Sequence, residues 1–225
     1  MIEIKHIFDE RKEEIEFYYS ILIEMDCEDS TAINTINNQL LLRIMKSNFI
    51  LMLYNLVEAT VTTGMLEIFN QVKCDACTYS AVIDELKNIW RDYQVKQVYS
   101  QASLLKTYTG KVKEIVEQIT ANTPLILAKG MLNINGNLNA KKIKDLCDSY
   151  RIRYRVSDDK AYLEQVRLKR NSLAHGDESF SQCARDLTIS DLEDIKDTIF
   201  LFINGIIEGM ENYCDNKLYL TSNNV

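Results

Sequence analysis

Proline occurs once in these 225 residues, at Pro124, and glycine only seven times. Such scarcity of chain breakers leaves little room for a turn-rich fold and argues for long helices. Histidine is nearly as rare, with only His6 and His175. The six cysteines include one CxxC, Cys74–Cys77, but no second pair or histidine pair completes a zinc set. They read as structural or incidental thiols; no metal site and no cofactor is expected. The apolar runs 49–57 and 198–207 are too short to span a bilayer and are interrupted by Asn55 and Asn204. The N-terminus MIEIKHIFDERKEE is charged from the start and shows no secretory signal, so a cytoplasmic, membrane-free chain is expected. No Gly-rich phosphate loop or nucleophile elbow occurs, which removes most rival enzyme classes.

What the chain has is acid, but unevenly placed. The net charge of −7 speaks against a general nucleic-acid binder. Yet residues 141–175 hold ten Lys/Arg against five Asp/Glu, a balance of +5. The remainder carries 16 against 28, or −12. The basic residues gather around one stretch, KAYLEQVRLKRNSLAHGDESF at 160–180.

That stretch reads as a helix from about Lys160 to His175, with Leu163, Val166, Leu173 and Ala174 as an apolar seam. Arg170 lies on the same seam. A guanidinium cannot lose its charge, so it must face a carboxylate, a second subunit or a wet cleft. Gly176 is placed to take the left-handed position past the helix end, which leaves His175 in the last turn beside unpaired carbonyls. An arginine to hold a phosphate and a histidine to move a proton suffice chemically for RNA cleavage.

The run Arg170-Asn171-Ser172-Leu173-Ala174-His175 resembles the R-x4-6-H motif of the HEPN superfamily, and Asn171 fits the polar position after the arginine. The wording RNSLAHG and the upstream helix NFILMLYNLVEATV are similar to a stand-alone bacterial branch found in toxin–antitoxin and phage-defence settings. The resemblance covers 40–63 and 160–213. It implies an all-α antiparallel bundle and, as its activity, a metal-independent endoribonuclease. In that mechanism the RNA 2′-OH attacks its own phosphate, His175 handles the proton and Arg170 stabilises the phosphorane. The products carry 2′,3′-cyclic phosphate and 5′-OH ends. The resemblance also implies a homodimer that sets two motifs side by side, and an antitoxin or defence-system partner protein. One departure limits it: members paired with a nucleotidyltransferase antitoxin carry a tyrosine two residues after the histidine, where this chain has Asp177. That partner is not carried over.

Two other readings compete. One is a binding or scaffold subunit that performs no chemistry, mildly favoured by the acidic balance. The other is wholly structural, with Arg170 bridged to Glu58 and His175 an ordinary cap.

In chain order, helices are expected at 2–25, 40–69, 80–97 and 110–120, with a polar break at 27–38. The span 100–108 is ambiguous, and His6 reads as a surface residue. Phe49–Val57 is apolar on nearly every face, which marks a central buried helix. Glu58 shares its face with Leu51, Tyr54, Val61 and Met65. It is either a boundary residue bonded to Tyr54 or solvent, or an internal partner that orients Arg170. Trp90 reads as core or interface. The chain is expected to be one domain, 1–225, with residues 124–159 inserted before the motif helix. Within that insertion, 125–139 is irregular with a turn at Asn135-Gly136-Asn137. Asn139 caps a short helix over 140–150, and RIRYRV at 151–156 has strand period. Arg151, Arg153 and Arg155 would line one face of that strand, as a charged edge or as an RNA-backbone track beside Arg167 and Lys169. After a loop at 177–187, a last helix begins near Ser190, with Ser190 or Thr188 as its cap, and runs to about Asn212. Residues 219–225 are expected to fray.

Overall fold

The computed structural model describes residues 1–27, 35–101, 105–132, 134, 136–155 and 161–221. Among these the chain is all α: α1 (Ile2–Cys27), α2 (Thr35–Cys74), α3 (Asp84–Gln101), α4 (Leu105–Thr120), α5 (Ala140–Ser149), α6 (Ala161–His175), α7 (Phe180–Cys183) and α8 (Ile189–Asp215), plus a 3-10 turn at Lys129–Met131. Most of the polar break expected at 27–38 lies outside the described residues, as do 102–104 of the ambiguous span.

The 40 residues of α2 make a rod about 60 Å long. Asn38–Cys74 is long and apolar enough to cross a membrane by length and composition only. Its apolar surface is instead spent inside the bundle, on α1, α6, α7 and α8. Ile50, Leu53, Leu56, Val61, Met65, Ile68 and Val72 are fully buried. Pairings along the rod fix the directions. The Ile4 and Glu3 amides donate to Glu67, while Tyr19 packs on Phe49, so α1 runs antiparallel to α2. The start of α8 lies at Tyr19 and its Met210 beside Gly64, so α8 runs parallel to α2. A buried lysine joins α8 to α1: Lys196 Nζ bonds both carboxylate oxygens of Glu16 and lies over the Tyr19 and Phe200 rings.

Helices α3 and α4 pack on each other beside this bundle. Trp90 is core, 2% exposed and edge-on to Tyr79. Asn139 caps α5 as expected, its side chain accepting from the Lys142 amide at 2.8 Å. Thr188 rather than Ser190 caps α8, in a reciprocal box with Asp191. The helix at 180–183 falls inside the expected loop.

Two expectations are corrected. Residues 151–155 form no strand. Arg151 takes φ +60 and closes α5, with the Ile152 amide returning to the Cys147 carbonyl at 2.8 Å. The segment then lies extended against α8 at Gly209, where a Cβ would stand 2.6 Å from the Arg153 carbonyl oxygen. The alternation is real, with Ile152 buried and all three arginines exposed, but its partner is a helix rather than a strand. Val156 lies outside the described residues. The second correction concerns the C-terminus. Tyr219 is fully buried against Tyr213, its hydroxyl donates to Asp75 at 2.5 Å, and the Thr221 amide reaches the Ala81 carbonyl. The expected fraying at 219–221 is therefore replaced by a docked strap; 222–225 lie outside the described residues.

Candidate functional site

Leu163 and Val166 anchor α6 in the core at 3% and 1% exposure. The rest of the expected seam is not buried: Leu173 is half-exposed and Ala174 exposed, because the last turns of α6 run out past the packed interior. The helix stops where expected. Gly176 adopts φ +75, its amide bonds the Leu173 carbonyl, and the Asp177 amide bonds the Ser172 carbonyl at 2.9 Å. These two bonds make a Schellman close, which a glycine at positive φ permits without strain. His175 is thus displayed as the exposed final residue of α6.

One turn and a half earlier, Arg170 lies half-buried with its Cζ 4.7 Å from the centroid of the Tyr54 ring. Its Nη1 donates to Asn171 Oδ1 at 3.0 Å. Asn171 Nδ2 in turn donates to Asn137 Oδ1 at 2.7 Å, and Arg167 Nη1 reaches the same oxygen at 3.1 Å. Tyr54 is 2% exposed; its hydroxyl accepts from the buried Leu138 amide at 3.1 Å. Burial raises the Tyr54 hydroxyl above its ordinary pKa. The nearby Glu58 carboxylate raises it further, against the opposing Leu138 amide and Arg170. Arg170 and Glu58 thus both act on one tyrosine, and among the described residues no ion pair joins them.

Arg170, Asn171 and His175 lie on the last turns of α6; Arg167 shares Asn137 with Asn171, and the remaining basic candidates lie elsewhere. Arg167 is engaged by Glu164, at 2.5 and 3.0 Å, and this contact, with one from Asn139, holds the Glu164 carboxyl below its usual range. Lys169 donates to the Cys183 carbonyl and steadies α7. Arg151 and Arg153 line a groove of about 800 Å³ with Asp84, Glu85 and Lys217. Gly209, where Arg153 crosses α8, adjoins Met210, which packs on Gly64. That is ten residues, or about 15 Å, along α2 from Tyr54. Among the described residues no cluster of three His, Cys, Asp or Glu could hold a metal ion.

Sequence reasoning missed Tyr54 as the platform under Arg170, and Asn137. Tyr54 was legible as sharing the Glu58 face, and Asn137 only as part of a turn signal.

A bundle of this topology, with Arg, Asn and His on the exposed end of its motif helix, is a HEPN-type helical domain. The family model of HEPN_MAE_28990-like HEPN domains matches residues 3–219, and the chain belongs to that family. HEPN domains are typically ribonucleases and often dimerise. No curated protein and no solved structure matches the chain.

Proposed function

We propose that the protein is an endoribonuclease that cleaves RNA through attack of the substrate's own 2′-OH. Arg170 steadies the phosphorane and His175 transfers the proton. The observation that carries this reading is the state of Arg170. Among the described residues it is half-buried on Tyr54, held by a neutral amide, and answered by no carboxylate. A guanidinium kept short of a counterion retains donors and charge for a phosphate, the geometry such recognition uses. His175, exposed at the closed end of the same helix, stands open to solvent. A homodimer bringing two such ends together would let one histidine act as base and the other as acid. Toxin or defence-effector duty, with a partner protein holding activity in check, belongs to the same reading.

The test is cleavage of single-stranded RNA by purified protein in EDTA. The expected ends are 2′,3′-cyclic phosphate and 5′-OH, with DNA left intact. Arg170→Ala and His175→Ala should each reduce the rate by ~10²–10⁴ while the helical fold persists. A wild type inert on RNA would transfer the case to a scaffold subunit, which the net charge of −7 suits.

A further inference from the structure

We infer that Asn137, on a turn 33 residues before Arg170, is a positioning residue that sets the pose of the Arg170 guanidinium through Asn171. The kinetic part of this inference rests on the ribonuclease reading above; the structural part does not.

The argument begins with which atoms can only donate. Arg167 Nη1 faces one atom of the Asn137 amide, and a guanidinium has no acceptor, so that atom is oxygen. Asn171 then presents its NH2 to the same oxygen, which turns its own carbonyl the other way. The second carbonyl meets Arg170 Nη1, again a pure donor. An arginine at each end therefore leaves the two amides a single consistent orientation. The relay Asn137–Asn171–Arg170 is directional and neutral, so it holds the guanidinium without quenching its charge.

The same turn supports Arg170 on two further sides. Gly136 adopts φ +61, and a Cβ there would stand 3.6 Å from Arg170 Nη2. A side chain at that position would be strained by the positive φ, and its Cβ would stand in ordinary contact with that terminal nitrogen. Leu138, the residue after Asn137, donates its amide to the Tyr54 hydroxyl and so fixes the ring on which the guanidinium rests. Three successive residues thus address the edge, the open corner and the supporting face of one side chain.

The experiment uses the full chain in two arms. In single-turnover cleavage of a defined RNA, Asn137→Ala should lower the rate about 10–100-fold, the scale of a small misplacement, with little change in KM. Asn137→Asp, which keeps the acceptor oxygen, should retain most activity. In an Asn171→Ala background, Asn137→Ala should add nothing, since the relay is already cut. In the second arm, 15N NMR of the Arg170 guanidinium should show hindered rotation about Nε–Cζ in the wild type and free rotation in Asn137→Ala. Asn137→Gln, which carries the amide one methylene further, repeats both arms if Asn137→Ala does not fold. A guanidinium equally restrained in both proteins would overturn the inference. So would an Asn137→Ala loss that persists undiminished without Asn171, which would route the effect through Arg167. Wild-type inactivity on RNA would sink the ribonuclease reading alone and leave the NMR arm to decide.

Discussion

The Arg170 guanidinium rests on the face of Tyr54, 4.7 Å from its ring centroid, while the hydroxyl of that ring takes the buried Leu138 amide. One tyrosine thereby joins α2, α6 and the 136–138 turn. Replacing Tyr54 by Phe keeps the face but leaves the Leu138 N–H buried without an acceptor, at a cost of about 1–3 kcal/mol. Tyr54→Leu should add the loss of the cation–π interaction, roughly 0.5–2 kcal/mol. Urea unfolding of the three proteins measures both steps. Equal midpoints for wild type and Tyr54→Phe would mean that the Leu138 amide finds water instead.

Glu58 lies near enough to the Tyr54 hydroxyl for its charge to raise that group's pKa, and among the described residues it forms no ion pair with Arg170. A glutamine at this position still offers an oxygen to that hydroxyl. Glu58→Gln is therefore expected to change stability by less than about 1.5 kcal/mol, the scale of one neutral hydrogen bond. A loss of about 3–5 kcal/mol, the signature of a broken buried charge pair, would instead place Glu58 against a cation in the assembled protein.

Much of this was legible in the sequence. Leu163, Val166 and Gly176 are local signals, a period and a stop, and they located α6 and its displayed histidine correctly. The extended arginine segment shows how a true period can mislead. Alternation reports that one side of an extended chain is covered, but not by what, and here the cover is α8 at Gly209. Asn137 and Tyr54 were out of reach because their meaning lies in partners 34 and 84 residues away. Tyr219 was misjudged because the burial of a terminal strap depends on Asp75 and Ala81, from a distant part of the chain.

The close crossing at Gly209 is open to a direct test. A methyl there would meet the Arg153 carbonyl and the Tyr154 Cβ, at 2.6 and 2.8 Å. Backbone cannot rotate aside as a side-chain tip can, so Gly209→Ala should destabilise by about 1–3 kcal/mol. Hydrogen exchange should show 151–155 losing protection first. An alanine variant as stable as the wild type would show that the segment is not tightly docked.

Asp75 makes the C-terminal strap sensitive to acid. Its carboxylate accepts from Tyr219, Lys217 and Gln71, and these partners, Tyr219 foremost, hold its pKa below the usual carboxylate value. The group binds a proton less readily folded than unfolded. Its contribution is therefore complete above the unfolded value, roughly 3.9, and fades as pH falls through the lower folded value. Asp75→Asn should be less stable than wild type at neutral pH, and the gap should narrow in acid. A gap that stays constant as the pH is lowered would mean the carboxylate charge contributes nothing.

The basic residues divide by how they are occupied, and this division predicts how RNA binding responds to salt. Arg167 is committed to Glu164 and Asn137, and Lys169 to the Cys183 carbonyl. Both already spend donors on partners within the chain that a phosphate would otherwise take. Arg153 and Arg155 are exposed, although Asp84 and Glu85 share the groove with Arg153. Deleting one cation that pairs with a phosphate should flatten the plot of log Kobs against log salt by about one unit. Arg155→Ala is expected to show that change in full, and Arg153→Ala a smaller one because nearby acids already screen it. Arg167→Ala and Lys169→Ala should leave the slope unchanged while lowering the unfolding midpoint, since their effects fall on α6 and α7. Fluorescence anisotropy with a labelled single-stranded RNA, paired with thermal melts, separates the two classes. A slope that moves with Arg167 or Lys169 but not with Arg155 would place the RNA path along α6 and leave the 151–155 arginines as surface charge.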